Sequence, residues 1–298
     1  MIPFLKPGDT IALAAPSRKV FPVDYEPFSQ FLLQKGYKVK LSSNLGLSHH
    51  QFAGNDAERA VALNALFEDS TVKAMVMVRG GYGAARIVDL LNWNILQQKP
   101  KWICGFSDIT VFLNHAYSKT GLPSIHSDMS VHFSNDEHRP NFDQLMNVLE
   151  GQKVIIETKP HPFNRKGKAH GILVGGNLSV FYSLLGSQSF PDMREKILFI
   201  EDLDEYLYHI DRMMLAFERA GIFSHLAGVV VGGMSDMRDN EVAFGMNAVE
   251  IANNFFKRLD IPVMYNFPAG HITDNRSFFV GAPTRIVVDE AFGLLEQY

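Results

Sequence analysis

KWICGFSDITVFLNHAY, residues Lys101–Tyr117, is the stretch from which the fold can be read. Trp102, Ile103 and Cys104 form a short apolar run of the kind that makes a buried strand. Gly105 permits a tight turn, and Ser107-Asp108 marks the start of a helix. A strand that stops at one serine and restarts as a helix presents the hydroxyl over a sharp turn. The N–H groups opening that helix then point where an oxyanion could form. The same Ser-Asp pair is also an ordinary helix N-cap, so the stretch alone establishes a turn and not a chemistry.

Working outward through the first half, Thr10–Ala15 reads as a buried strand that runs into a loop at Pro16-Ser17. A helix over residues 25–35 is stopped by Gly36, and Tyr37–Leu41 is a second strand. Asn55 or Asp56 caps the next helix, whose apolar positions are Ala60, Leu63, Leu66 and Phe67. His49 and His50 precede it with no carboxylate or cysteine at ligand spacing, which points to a solvated loop and not to a metal site.

Lys73–Val78 is the third strand, and Arg79-Gly80-Gly81-Tyr82-Gly83 follows it at the opening of a helix. Such a loop can cradle a phosphate, bring bare backbone N–H groups beside a reacting carbonyl, or simply turn the chain. The dinucleotide fingerprint fails here: counting from Gly81, Gly83 fits but Arg86 stands where a third glycine belongs, and no P-loop Lys-Ser or Lys-Thr pair follows. Ser124–Met129 is another short strand, with His126 near its end. Alternating strands and helices imply an open parallel sheet, whose ligand sites lie at the carboxyl ends of its strands. Pro16-Ser17, the GGYG loop and Ser107 share that rim.

The whole chain has 298 residues, so two domains of about 150 residues are expected. Apolar residues at 46% and charged residues at 20% suit a soluble globular protein with a sizeable core, and a net charge of −4 argues against nucleic acid as a partner. The opening MIPFLKPGDTIALAAPS is too short and too interrupted for a signal peptide or membrane span. A cytoplasmic location without membrane attachment is therefore expected. A single cysteine excludes an internal disulfide framework. Cys104, inside its apolar strand, is expected to be a buried packing residue with a raised pKa and little nucleophilicity.

In the second half, residues 151–169 are turn-rich and read as a linker between domains at 1–150 and 170–298. GILVGGNLSVFYSLLGS, beginning at Gly171, gives a strand, a Gly-Gly turn and a buried helix capped by Asn177. Lys196–Ile200 is a strand delivering Glu201 and Asp202, with Asp204 and Glu205 just beyond. Acids in such a run usually belong to a solvated loop, but a carboxylate directly after a buried strand is held rigidly enough to orient a partner. The next helix sets Ile210, Met213, Met214 and Phe217 on one side, as core. Strands at Ala227–Val231 and Pro262–Tyr265 flank a helix over 245–259, and His271 then stands in a loop after Gly270. Ser277–Val280 and Thr284–Asp289 read as a closing hairpin.

Ser107, Glu201 and His271 thus follow in the order nucleophile, acid, base. With RGGYG, GFSDIT, VGGNLS, LFIEDLDE and AGHITDN, the chain resembles the L,D-carboxypeptidases, or murein tetrapeptide carboxypeptidases. These are serine peptidases whose family includes the microcin C immunity peptidases. The resemblance runs along essentially the whole chain. It implies a Rossmann-like amino-terminal domain related to class I glutamine amidotransferases, a smaller mixed β/α carboxy-terminal domain, a Ser-Glu-His triad drawn from both, and commonly a homodimer. By position, Ser107 would be the nucleophile, Glu201 the orienting acid and His271 the general base, while the backbone N–H groups of Asp108 and Gly81 would form the oxyanion hole. Gly80, Tyr82, His126 and Arg212 are the candidate substrate contacts, and Arg79, Arg212 and Arg276 the cations that could hold a terminal carboxylate. Where the family is associated with His-Gly-Pro-Met, this chain has His126-Ser127-Asp128-Met129, a departure that bears on substrate preference.

The implied reaction is release of terminal D-alanine from murein tetrapeptides in peptidoglycan recycling, through an acyl-enzyme and with neither cofactor nor metal. An immunity peptidase acting on acyl-nucleotides is the alternative within the family. A nucleotide-binding protein using the GGYG loop, with Ser107 only a cap, is the alternative of another class, and a non-catalytic peptide-binding member of the same fold, with the pocket but no turnover, is the third.

Overall fold

The structure is a computed structural model and describes residues 2–297. It divides into two compact units, one of residues 1–152 with Arg276–Gly281, the other of Lys153–Asn275 with Ala282–Tyr298. The first unit carries a six-stranded sheet built from β1 (Thr10–Ala14), β2 (Lys38–Leu41), β3 (Val72–Met77), β4 (Trp102–Gly105), β5 (Ser124–His126) and β11 (Phe278–Val280). Its order is β11-β5-β4-β3-β1-β2, parallel throughout except for β11, which pairs antiparallel with β5. Strands β1, β3 and β4 are almost wholly buried apolar runs, as a parallel sheet covered on both faces requires. The chain goes from β1 to β2 on one side and then to β3 on the other. The carboxyl ends of β1 and β3 therefore border a topological switch point, where open sheets of this kind leave a crevice.

Helices α1 (Glu26–Gln34), α2 (Asp56–Glu68), α3 (Ala84–Ile87), α4 (Ile95–Gln98), α5 (Thr110–Thr120) and α6 (Arg139–Leu149) belong to this unit. Asn55, not Asp56, caps α2: its side chain accepts from the Glu58 N–H while the Glu58 carboxylate accepts from the Asn55 N–H. Phe28 on α1, Phe133 in the segment before α6 and Phe142 on α6 form a buried triangle with ring centroids 5.0–5.3 Å apart.

The second unit holds a seven-stranded mixed sheet from β6 (Val154–Thr158), β7 (Gly167–Asn177), β8 (Lys196–Leu203), β9 (Gly228–Ser235), β10 (Val263–Met264), β12 (Ala282–Val288) and β13 (Gly293–Gln297). The order is β10-β9-β8-β7-β12-β13-β6. β7 is the hinge of the topology: its carboxyl half pairs parallel with β8 and its amino half antiparallel with β12. Helices α7 (Leu178–Ser183), α8 (Leu207–Arg219) and α9 (Ala248–Phe256) pack with it. The buried residues of α8 are Ile210, Met213, Met214 and Phe217, the side expected to be core.

Two expectations change. The stretch 151–169 is not a linker, because β6 and the start of β7 lie within it and are ladder partners of β13 and β12. Exposed residues, Ile155 and Glu157, alternate with buried ones along β6, as on a strand with one solvated face. Ser277–Val280 and Thr284–Asp289 do not form a hairpin: β11 pairs with β5, whereas β12 pairs with β7 and β13. Gly281, at φ 82°, passes the chain from one sheet to the other, and the actual hairpin turn is closed by the Asp289 N–H on the Phe292 carbonyl. Two adjacent strand-like runs are indistinguishable from a hairpin until the free sheet edges are known.

Phe142→Ala, which empties one corner of the aromatic triangle, is expected to cost about 3–5 kcal/mol in urea denaturation, and a loss under about 1 kcal/mol would mean that the triangle is not tightly packed.

Candidate functional site

The amino-terminal half of the site is a turn. Ser107 follows β4 at φ 61°, a left-handed conformation that costs a non-glycine residue roughly 1–3 kcal/mol and is kept where surrounding structure imposes it. A single 3-10 turn over Ser107–Ile109 then leads into α5. Gly80 backs directly onto the serine: a Cβ built there would lie 3.2 Å from the Ser107 Cβ, 3.3 Å from its Oγ and 3.3 Å from the Met129 Cε. Only a glycine lets the loop after β3 come this near the hydroxyl.

Asp108 does more than offer its N–H. Its buried carboxylate Oδ2 accepts from the Ser17 hydroxyl at 2.5 Å and from the Ala84 N–H at 2.9 Å, tying the loops after β1 and β3 to the turn after β4. Burial pushes this carboxyl up, against those two donors. Arg59 makes a second tie. Its buried guanidinium donates to the carbonyls of Pro16 and Gly83 and pairs with Asp56, which also holds Arg86. Neither the Asp108 side chain nor Arg59 was identified from sequence, although Arg59 was detectable as a charge in register with Ala62, Leu63 and Leu66 on the buried face of α2.

The other first-unit candidates are spread around this turn. Gly81, at φ 105°, has the Arg18 side chain beside it, and Tyr82 is about half exposed. Arg79 is half-buried at the end of β3. His126 is fully buried, its ring stacked on Phe278 at 4.7 Å and 5.7 Å from Phe106, so it packs under the turn instead of facing solvent. Arg276, half-buried, precedes β11. Cys104 is buried, and burial pushes its thiol well above the ordinary range, which suits packing and not attack. His49 and His50 are exposed.

In the second unit the acid lies within β8, two residues before its end, and not beyond the strand as expected. Glu201 is completely buried, and its Oε2 is 2.7 Å from the His271 Nδ1; the same oxygen accepts from the His271 backbone N–H at 3.2 Å. Since a carboxylate only accepts, the imidazole carries its proton on Nδ1 and leaves Nε2 as a lone-pair acceptor. Gly270, at φ 108°, makes this contact possible: a Cβ there would stand 2.6 Å from the Glu201 Oε2. The loop is pinned by the Ser235 hydroxyl on the His271 carbonyl and by the Gly270 N–H on the Asn275 side chain. Arg212 sits on the exposed side of α8, over the Tyr208 ring.

Asp202, next along β8, accepts from Asn177 Nδ2 and from the Ser179 and Leu203 N–H groups. Burial and the neighbouring Glu201 carboxylate outweigh these donors and push it up to about 7 from 3.8. The folded state therefore holds a proton that the unfolded chain releases, and stability is lost as pH rises between those values. The stability gap between wild type and Asp202→Asn in urea denaturation is expected to change steadily from pH 4 to about 7 and to level off beyond; a gap that ignores pH would show that Asp202 is ionised throughout.

The chain is similar to known proteins along nearly its whole length. Residues 11–127 match the LD-carboxypeptidase N-terminal domain and residues 170–286 the LD-carboxypeptidase C-terminal domain. A probable murein peptide carboxypeptidase of Bacillus subtilis is 31% identical over 297 residues, covering 98% of this chain and 93% of that protein. The crystal structure of muramoyltetrapeptide carboxypeptidase from Oxalobacter formigenes superposes with a TM-score of 0.88 at 26% identity, covering 97% and 98% of the two chains. The wild-type apo structure of the microcin C7 self immunity protein shares the fold, with a TM-score of 0.86 at 21% identity over 99% and 98%. A match to both domain models in order, with a relative above 30% identity along nearly the full length, assigns this chain to the LD-carboxypeptidase family, whose members are peptidase hydrolases.

Proposed function

We propose that this protein is a serine-type L,D-carboxypeptidase that removes terminal D-alanine from murein tetrapeptides, with Ser107 as nucleophile, His271 as general base and Glu201 as its orienting acid. The observation that carries the reading is the Glu201–His271 pair, a buried carboxylate on Nδ1 that leaves Nε2 basic, in a chain whose one strained serine closes a strand-to-helix turn. A serine hydroxyl at neutral pH is a poor nucleophile, so the imidazole must take its proton during attack. Glu201 stabilises the resulting imidazolium.

In the reaction, Ser107 Oγ bonds to the scissile carbonyl carbon while its proton passes to His271 Nε2. The tetrahedral oxyanion is met by the N–H groups of Asp108 and Gly81. Collapse breaks the C–N bond, and the imidazolium returns the proton to the departing D-alanine amine. Water, deprotonated by the same imidazole, then releases the shortened peptide from the acyl-serine. Of the candidate cations, Arg79 is the best suited to the terminal carboxylate, because it directly precedes the glycine that backs Ser107. Among the described residues no helix is long and apolar enough to cross a membrane.

Incubation with a murein tetrapeptide is expected to yield free D-alanine and the tripeptide by mass spectrometry, with Ser107→Ala slower by roughly 10⁴-fold or more. Equal release by wild type and Ser107→Ala would end the assignment, and saturable nucleotide binding without any release would favour the GGYG loop as a nucleotide site. Asp108→Asn puts an amide where one acceptor oxygen serves both Ser17 and Ala84, so kcat on the same peptide should fall about 10²-fold with KM changed far less. An unchanged kcat would mean that the tie between the loops does not position the turn.

A further inference from the structure

Beyond Ser107, the first unit contains a side-chain cluster, Asp128, His132 and His138, that the proposed hydrolysis does not use. Asp128, fully buried just after β5, faces two imidazoles: His132 Nδ1 is 2.5 Å from its Oδ1 and His138 Nδ1 is 2.7 Å from its Oδ2. One ligand atom from each of the three lies within 4.8 Å of the others. Both carboxylate oxygens have a further donor, the Met129 N–H on Oδ1 and Asn141 Nδ2 on Oδ2, each at 2.9 Å. Asp128 thus cannot rotate away. In the resemblance to His-Gly-Pro-Met, it is this chain's own departure from the pattern that supplies the buried acid.

We propose that Asp128, His132 and His138 form a binding site for a divalent transition metal, with Zn²⁺ the best-fitting ion. Two imidazoles and one carboxylate are the donor set of zinc and its late first-row neighbours, whereas magnesium and calcium prefer oxygen alone. The Met129 N–H and Asn141 amide are the outer contacts that hold a ligating carboxylate in place. Solvent can complete the coordination, because the His132 side chain is 36% exposed and that of His138 18%. Ligand atoms on a tetrahedral ion with bonds of about 2.0–2.1 Å lie roughly 3.3 Å apart. Compared with the 2.5 and 2.7 Å present, each imidazole must therefore retreat by less than about 1 Å, within reach of a side-chain rotation at two partly exposed positions.

The alternative is a carboxylate merely hydrogen-bonded by two Nδ1–H groups. That arrangement is the metal-free form of the same site, since each imidazole needs only to give up its Nδ1 proton to become a ligand. The role is structural. Met129, next to Asp128, reaches the space beside Ser107, and the Phe106 ring lies tilted 5.9 Å from the His132 ring, so an ion here would fasten the segment under the turn without touching a reacting atom. The sequence pattern, D-x3-H-x5-H across two short turns, matches no common ligand spacing.

The full-length protein, stripped with chelator and titrated with ZnCl₂ by calorimetry, is expected to bind one equivalent. Saturation should raise the melting temperature, and Co²⁺ should give a visible d–d band with imidazole and carboxylate ligands. His132→Ala, at the most exposed ligand, should weaken binding about 100-fold or more and abolish the band. Ser107→Ala and His49→Ala should bind as wild type, which separates this site from the hydrolytic one. Absence of binding at millimolar Zn²⁺, or binding that His132→Ala and His138→Ala leave intact, would overturn the proposal.

Discussion

The amino-terminal unit depends on one acceptor oxygen. Asp108 Oδ2 takes a hydroxyl proton from Ser17 and an N–H from Ala84, and so joins the ends of three parallel strands through a single buried atom. A buried carboxylate is costly unless its lone pairs are occupied, so the loops can move apart only by exposing that cost. The left-handed backbone of Ser107 is held one residue away, and the nearby approach of Gly80 follows from the same tie. Arg59 repeats the arrangement from below, with a buried cation whose Nη1 donates to the carbonyls of the same two loops.

The carboxy-terminal unit solves a similar problem differently. Glu201 is carried by a central parallel strand and is wholly buried, so its position is as fixed as the sheet. Its partner comes from an irregular loop, made rigid by hydrogen bonds to β9 and by a glycine that lets the backbone pass over the carboxylate. Two acids in succession on one strand are tolerable because their environments differ. Glu201 serves the imidazole, while Asp202 caps the start of α7 through backbone N–H groups and is pushed towards neutrality by its neighbour.

What relates this chain to its family is the match to both domain models in order and a shared fold along nearly the full length. At the end of β5 a histidine is buried in aromatic packing, and in the segment after it an aspartate gathers two further histidines. A segment that close to the serine is where members of one family can differ in substrate while leaving the chemistry alone.

Much of this was present in the sequence by itself. Period-two and continuous apolar runs identify the strands, glycines with a following polar cap identify the turns, and Ser107, Glu201 and His271 stand out because each comes after an apolar run in the sequence. Local pattern has no access to partners distant in the chain. It could not say that β11 completes the first sheet and β12 the second, that β6 is a strand and not a linker, or that Arg59 faces inward to two carbonyls. Nor could it bring Asp128 to His132 and His138, whose convergence depends on two turns folding back against one buried carboxylate. Sheet edges, buried charges and ligand clusters are decided by which surfaces meet, and the free energy of those contacts appears only when the chain is folded.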